Sequence, residues 1–298
     1  MYERHHLMGK DFFQSNDIEI KILHRHPQPE YPIHTHDFSE LVLVLNGHGT
    51  HFTQKYQFEV GMGDLFIING DLGHGYKNLD NLVLINVLFD LEKLKLPEYD
   101  ISRSPGFHTL FTIEPLLRED SRFSSRLKLD YKQISFISEL LKDIEKEVEE
   151  KKEGYRYLCT SLFMQLVTYL SRIYSEKSDP EKSSLYQLGE TISFLEHNLD
   201  RTVSIKELLD ISHMSESSLL RAFKKITGTT PLGFHLEKRI DKACILLKES
   251  DKSITMIAFD TGFGDSNYFS RQFRKIRGES PREFKRRSNP RSVVYRPD

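Results

Sequence analysis

From residue 205 to residue 284 apolar side chains return at intervals of three and four, the period of helices that bury one face. Two stretches of this region repeat each other: LLRAFKKITGTTPLGF, 219–234, and FSRQFRKIRGESPREF, 269–284. Arg221, Phe223, Lys225, Ile226, Gly228, Pro231 and Phe234 recur as Arg271, Phe273, Lys275, Ile276, Gly278, Pro281 and Phe284. Ahead of each copy, Ile205, Leu208, Leu209 and Met214 match Ile254, Ile257, Ala258 and Phe263 with the offset reduced by one. The change in offset falls in a turn, where a one-residue difference is cheapest. Each copy predicts a short helix, a tight turn and a second helix, which is the helix-turn-helix pattern in tandem. Gly262 stands where the second turn needs positive φ, and His213 holds the equivalent place in the first. Ser215 and Asp265 are placed to cap the second helices. Between the units, Leu232, Leu236, Ile240, Ala243 and Leu247 share one face of a predicted connecting helix. Such a helix spans ~30 Å, close to the ~34 Å turn between successive major-groove faces, so one chain suits two adjacent segments of one duplex.

The first hundred residues follow another rhythm. Short apolar or alternating runs at 40–45, 50–53, 58–60, 64–68 and 82–89 predict strands. Asn46-Gly47, Gly61 to Gly63, Asn69 to Asp71 and Asp80-Asn81 read as the turns between them, which argues for a small antiparallel barrel or sandwich. Tyr131 to Glu153 then predicts a helix with Ile134, Ile137, Leu141, Ile144 and Val148 in a narrow seam of coiled-coil type. A second helix is predicted from Tyr155 to Tyr174. Such seams serve either internal packing or a partner. The polar run SEKSDPEKSS, 175–184, lacks any apolar residue and reads as a linker. The expected organisation is 1–174, a β-rich domain with its helical segment; 175–184, the linker; and 185–298, an all-α domain with both helix-turn-helix units.

Charge sharpens this division. Residues 185–298 carry 20 Lys+Arg and 15 Asp+Glu, leaving 22 and 29 for residues 1–184, so +5 and −7 sum to the net −2 of the chain. A basic module is the electrostatic footprint expected of phosphate contact. No apolar run approaches the ~20 residues that cross a bilayer, and MYERHHLMGK has no signal-peptide apolar region, so a cytoplasmic protein with no membrane partner is expected. Cys159 and Cys244 fall in different predicted domains, which implies no disulfide framework.

In a helix-turn-helix the second helix enters the major groove. Its outer positions are Glu216, Ser217, Leu220 and Arg221 in the first unit, and Asp265, Ser266, Asn267, Ser270 and Arg271 in the second. Arginine suits guanine, asparagine suits adenine and a carboxylate suits the cytosine amino group. Lys225 and Lys275 suit phosphates, which set register without reading sequence. A bundle whose repeated Leu and Phe are only core is the alternative, and two units in tandem argue against it. Residues 204–284, and IAFDTGFGDSNYFSRQFRKIRGESPREF at 257–284 above all, resemble the DNA-binding domain of the arabinose-regulator (AraC) family of bacterial transcription factors. The resemblance implies asymmetric sites in double-stranded DNA, base contacts from Arg221, Asp265 and Asn267, and RNA polymerase as a partner.

Ten of the thirteen histidines precede residue 110. In an extended strand His34, His36 and Glu40 would point to one face, with His74 supplied by a facing strand. The arrangement resembles the double motif of the cupin barrel, with Gly47 closing its first half and Gly63 opening its second, although Asn69 and Asp71 depart from the usual loop residues. Three readings stay open: a divalent metal on His34, His36, Glu40 and His74; direct hydrogen bonding of these groups to a small effector; or strand histidines that bind nothing. The runs HTHDFSELVLVLNGHGTHF, GDLF, HGY and DNLVLINVLF resemble the sensory domain of the rhamnose-responsive AraC members. This implies a cupin-like β-barrel, a small sugar such as L-rhamnose as effector, Tyr76 and Asn86 as further effector contacts, and a homodimer formed through the helical pair. The resulting expectation is a DNA-binding transcription regulator, an activator, rather than an enzyme. The rival is a metal-dependent cupin oxygenase or isomerase fused to a DNA-binding tail.

Overall fold

The computed structural model describes residues 5–13, 17–70, 72–94, 100–117, 126–176 and 183–288. The polar segment 177–182, most of the expected linker, lies outside them. The chain divides into two compact units, Met1–Gly189 and Glu190–Asp298.

The first unit is built on one sheet whose strands are β1 (His5–Leu7), β2 (Ile20–Arg25), β3 (Tyr31–His36), β4 (Ser39–Thr53), β5 (Gln57–Gly61), β6 (Asp64–Asn69), β7 (His74–Phe89) and β8 (Leu127–Lys128). Hydrogen bonds run in the order β1-β3-β7-β4-β6-β8, with β2 also on β7 and β5 also on β4. Among the described residues β1 and β8 do not pair, so the sheet is not a closed barrel. The β-rich, cupin-like class holds while closure does not.

The strands differ from expectation for a definite reason. Runs 40–45 and 50–53 are one strand, β4, paired along its length with β7. Asn46-Gly47 and Asp80-Asn81 are not chain reversals. They face each other where the β4–β7 register shifts, with φ of +70° at Gly47 and +47° at Asn81. A side chain at Gly47 would collide with the Asn81 carbonyl, so a bulge here uses the residues a turn would use.

The alternation along β4 sets two cores. Leu41 and Leu43 face one way and join Leu65, Ile67, Ile85 and Val87 under the helices, while Val42 and Val44 join Phe66, Ile68, Leu82 and Leu84 on the opposite face. A strand buried on both faces reads as a continuous apolar run, which is how Leu41 to Leu45 reads.

After β7 come α1 (Leu91–Leu94), a 3-10 turn (Asp100–Arg103), a continuous helical stretch in which a π-helical segment (His108–Ile113) joins α2 (Pro105–Phe107) to α3 (Glu114–Leu117), and then α4 (Tyr131–Glu150) and α5 (Tyr155–Glu176). Asp130 and Gln133 form a capping box at the start of α4, and Lys151 ends it in the left-handed region. The seam along α4 is packed inside its own unit: Ile137, Leu141 and Ile144 are buried in the core with Leu41, Ile67 and Phe163, and Ile134 and Val148 pack against it. This corrects the partner reading of that seam, because a stripe already covered by its own chain has no area left to bury. The large hydrophobic residues left exposed on α4 and α5 are Tyr131, Phe136, Tyr157 and Leu158.

The second unit contains the C-terminal end of α6 (Ser183–His197), then α7 (Ile205–Ser212), α8 (Glu216–Thr227), α9 (Pro231–Glu249), α10 (Ile254–Asp260), α11 (Ser266–Arg277) and α12 (Pro281–Ser288). Leu208, Leu219, Phe223, Ile240, Ala243, Leu247, Ile257, Phe269 and Phe273 are fully buried, as the three-and-four spacing requires. Thr230 caps α9, and Pro231 occupies its first turn, where a missing N–H costs nothing. No helix among the described residues is long and apolar enough to cross a membrane.

Candidate nucleic-acid interface and ligand cavity

Both helix-turn-helix units form with the expected turns. His213 ends α7 at φ +51° and donates its N–H to the Leu209 carbonyl; Gly262 follows α10 at φ +75°. Ser215 accepts from the Ser218 N–H and Asp265 from the Asn267 N–H at 2.8 Å, so both second helices carry their predicted caps.

Burying Leu219 and Phe223 turns the opposite face of α8 outward, leaving Glu216, Ser217, Arg221 and Lys225 exposed and Leu220 half-buried. Burying Phe269 and Phe273 does the same for α11, where Asp265, Asn267, Arg271 and Lys275 are exposed and Ser266 and Ser270 half-buried. The structure therefore gathers the predicted residues of each unit on one helix face. Some of them already have local work: one Asp265 carboxylate oxygen holds the cap, the Ser270 hydroxyl donates to the Ser266 carbonyl at 2.9 Å, and the Ser217 and Ser215 hydroxyls share a hydrogen bond at 3.3 Å. Arg277, by contrast, pairs with Asp241 on α9. Among the described residues Arg221, Arg271 and Lys275 make no ion pair, which leaves these cations available to an external polyanion.

In the first unit His34 and His36 lie on β3, but the chain bends at Asp37 and Phe38, so Glu40 belongs to β4. His74 comes from β7 as the direct cross-strand neighbour of His34, not from a facing strand. What brings the set together is thus a strand corner and a register rather than one extended strand. Glu40 Oε2 lies 3.4 Å from His36 Nε2 and 3.6 Å from His74 Nε2. These are ion-pair contacts too long for good hydrogen bonds, and both nitrogens are buried without a hydrogen-bond partner.

The other ring nitrogen is anchored in each case. His34 Nδ1 donates to the Pro32 carbonyl at 3.2 Å, His36 Nδ1 to Phe38 at 2.6 Å and His74 Nδ1 to Leu72 at 3.1 Å. A carbonyl only accepts, so each Nδ1 carries a hydrogen. Burial, and then the neighbouring His74, push His34 down to about 4. Burial alone would raise the Glu40 carboxyl, but the His36 and His74 rings beside it prevail and hold it well below the ordinary carboxylate range. His34, Glu40 and His74 offer donor atoms all within 4.8 Å of one another, while His36 reaches Glu40 but stands outside that set.

Beside the cluster is a cavity of about 160 Å³. Its polar lining includes Gln28, His34, Glu40, Tyr76 and Asn86, and Leu7, Phe12, Phe38 and Leu88 supply apolar wall. Tyr76 and Asn86, expected as further effector contacts, are both in this lining. Asn86 is opposite Val42 on β4, on the face that also carries Glu40. Gln28, Arg25 and the N-terminal Leu7 and Phe12 carried no sequence signal, because only the fold back of the chain start and of the β2–β3 connection brings them there. β1 is held by parallel pairing with β3 and by the Gly9 N–H on Asp37. His51 was also missed. It is fully buried with its ring stacked against His74 at 5.6 Å, because the bulge in β4 resets which residues face inward. At this volume the cavity is well below the ~300–1,000 Å³ of drug-sized sites, so its occupant is small.

A family model described as an AraC-like ligand binding domain matches residues 19–167, and one described as a helix-turn-helix domain matches residues 208–287. The chain is 32% identical to the HTH-type transcriptional activator RhaS of Enterobacter sp. (strain 638) over 94% of its own length and 96% of the relative. It is 30% identical to the HTH-type transcriptional activator RhaR of the same strain, over 95% and 96%. RhaS of Escherichia fergusonii matches at 32%, over 94% and 96%. The chain belongs to the AraC family of DNA-binding transcription regulators.

Proposed function

We propose that this regulator is a cytoplasmic, sugar-responsive activator, and that its effector, a small neutral sugar such as L-rhamnose, occupies the cavity beside His34, Glu40, Tyr76 and Asn86. The observation that carries this reading is the sign of the lining. Asn86 Oδ1 and Gln28 Oε1, both in the lining, are buried acceptors with no donor. A buried acceptor left unmet costs about 1–3 kcal/mol, and sugar hydroxyls bring donors where an oxyanion would bring none. The relatives' designation as activators supports the sign of regulation and supports a sensor over the rival enzyme.

Arg221, Asn267 and Arg271 read bases in this scheme, and Lys225 and Lys275 meet phosphates. The exposed Tyr131 and Tyr157, rather than the buried α4 seam, supply the homodimer contact, and RNA polymerase is the protein partner. Effector and DNA are coupled by linkage: a sugar that binds one arrangement of the chain more tightly shifts the population towards it. Thermal unfolding of the full chain against a panel of free sugars tests the effector. A binding sugar at ~100 times its Kd adds about 2.7 kcal/mol of stability, and Asn86→Ala should remove most of that shift. If no sugar raises the melting point of the wild type, the cavity has been given the wrong occupant.

A further inference from the structure

The lining of the cavity takes hydrogens more readily than it gives them. Asn86 Oδ1 and Gln28 Oε1 are buried acceptors without a donor, and the Glu40 carboxylate, held well below its ordinary range, can only accept. Two of the N–H donors in that wall are already committed: Gln28 Nε2 donates to the Pro29 carbonyl at 2.8 Å and His34 Nδ1 to the Pro32 carbonyl at 3.2 Å. A sugar hydroxyl has an oxygen to satisfy as well as a hydrogen, so a wall of acceptors meets only half of it. Arg25 supplies what is lacking. Ile20 and Ile22 turn into the core under the helices, so the alternation along β2 sends Leu23 and Arg25 to the other face, where both line the cavity. Pairing with β7 fixes them there, Leu23 opposite Asn86 and Arg25 opposite Leu84. Among the described residues Arg25 has no ion pair and no hydrogen bond of its own.

We propose that Arg25 is a specificity-determining contact for the effector: its guanidinium donates to the oxygens of two adjacent hydroxyls at the rim, while Glu40 and Asn86 accept hydrogens deeper in the cavity. The assignment rests on the cavity being the effector site. A guanidinium presents its N–H groups in a planar fork of fixed spacing, which matches two neighbouring oxygens and leaves a lone oxygen only half served. Arg25 is exposed and Glu40 buried, so donors and acceptors stand at different depths and a bound ring is held one way round. The occupant this suits is neutral. A carboxylate ligand would pair with Arg25 but bring like charge towards Glu40 in the same lining, whereas a hydroxylated ring satisfies both. Lys21, on the same face of β2, is exposed and lies outside the lining, so charge on this strand face is not enough to make the contact.

The full-length wild type and its Arg25→Met, Arg25→Lys and Lys21→Met variants are titrated calorimetrically with the neutral sugar that raises the melting point most, L-rhamnose first. The analogues of that sugar lacking one ring hydroxyl are titrated alongside. Arg25→Met should weaken the parent sugar about tenfold or more, the size expected of hydrogen bonds to a charged group. Arg25→Lys keeps the charge without the fork and should recover only part of the loss. Lys21→Met should bind as the wild type does. In the wild type two adjacent deoxygenations should be costly, and in Arg25→Met the same two should cost little further, because the contact they probe is already gone. Since Arg25 is exposed, an unchanged melting point without sugar separates a lost contact from a lost fold. A sugar bound equally by the wild type and Arg25→Met overturns the contact and leaves the cavity reading standing. The same holds for an Arg25→Met variant weakened towards every analogue alike, which is what a merely structural role would give. A uronic acid bound more tightly by the wild type than any neutral sugar gives Arg25 a carboxylate to read and overturns the hydroxyl contact. A wild type that binds no neutral sugar overturns the cavity reading and the contact with it.

Discussion

The two helix-turn-helix units reach the same backbone turn by different means. In the first, α7 is closed at its start by a capping box in which Ser204 and Glu207 satisfy each other, and Arg201 also holds Glu207. The Ser204 N–H, and then Arg201, hold the Glu207 carboxyl down to about 2. The residue that caps its end, His213, sits in the left-handed region with its side chain in solvent. In the second, Ser253 caps the start of α10 by accepting from the Met256 N–H, and the turn is also locked from outside. The buried Arg239 of α9 donates to the Thr261 carbonyl at 2.7 Å and lies over the Phe263 ring at 4.0 Å. A side chain at Gly262 would lie 2.5 Å from the Arg201 backbone nitrogen. Glycine is thus required in the second turn by close approach as well as by φ, whereas the first turn has open space and tolerates a histidine. Equal geometry does not imply equal constraint, because one turn is stabilised by its caps and the other by what packs against it.

That contrast is open to attack, and the largest effect should come from Gly262→Ala. Positive φ and a backbone collision together are expected to cost about 2–3 kcal/mol or more in thermal or denaturant unfolding. A cost below ~0.5 kcal/mol would show that the second turn is no more crowded than the first.

Next in size is the unequal reading of DNA. Asn267→Ala and Arg271→Ala should each weaken binding to a cognate promoter by about 1–3 kcal/mol and relax discrimination at one base pair. Arg221→Ala should cost less, because Leu220 beside it offers no hydrogen bond. Binding measured against promoter variants at fixed salt decides this, and a larger loss from Arg221 would reverse the order assigned to the two units.

The smallest effect is His213→Gly. It removes the ~1–2 kcal/mol penalty of an L-residue in the left-handed region and adds ~0.5–1 kcal/mol of unfolded-state entropy, so a gain between zero and about 1.5 kcal/mol is expected. Destabilisation would mean that the His213 side chain holds the turn in a way its exposure does not suggest.

The fold was legible where a residue's neighbours in sequence are also its neighbours in space. The period along α8 and α11 identified Leu219, Phe223, Phe269 and Phe273 as core, and the same period turned Arg221, Asn267 and Arg271 outward. The caps Ser215 and Asp265 were legible for the same reason, since a cap acts within three residues. The β-rich half was less so. Asn46-Gly47 and Asp80-Asn81 have the composition of turns, and only their mutual placement across β4 and β7 makes them a bulge. The α4 seam had a coiled-coil spacing, but spacing does not say whether a sheet or a second chain covers it, and here the sheet does.

By itself the sequence determined that this chain carries two helix-turn-helix units, which side of each second helix faces out, and that His34, His36, Glu40 and His74 are of ligand type. Those are consequences of local periodicity and of side-chain chemistry. Only the tertiary structure decided that Glu40 comes from the next strand, that His74 is the direct neighbour of His34, and that Gln28, Leu7 and Phe12 join the cavity. The physical reason is that cross-strand register and chain return depend on long-range hydrogen bonding and packing, which a one-dimensional pattern does not encode. The same difference explains why the face offered to DNA could be read in advance and the cavity could be read only in part.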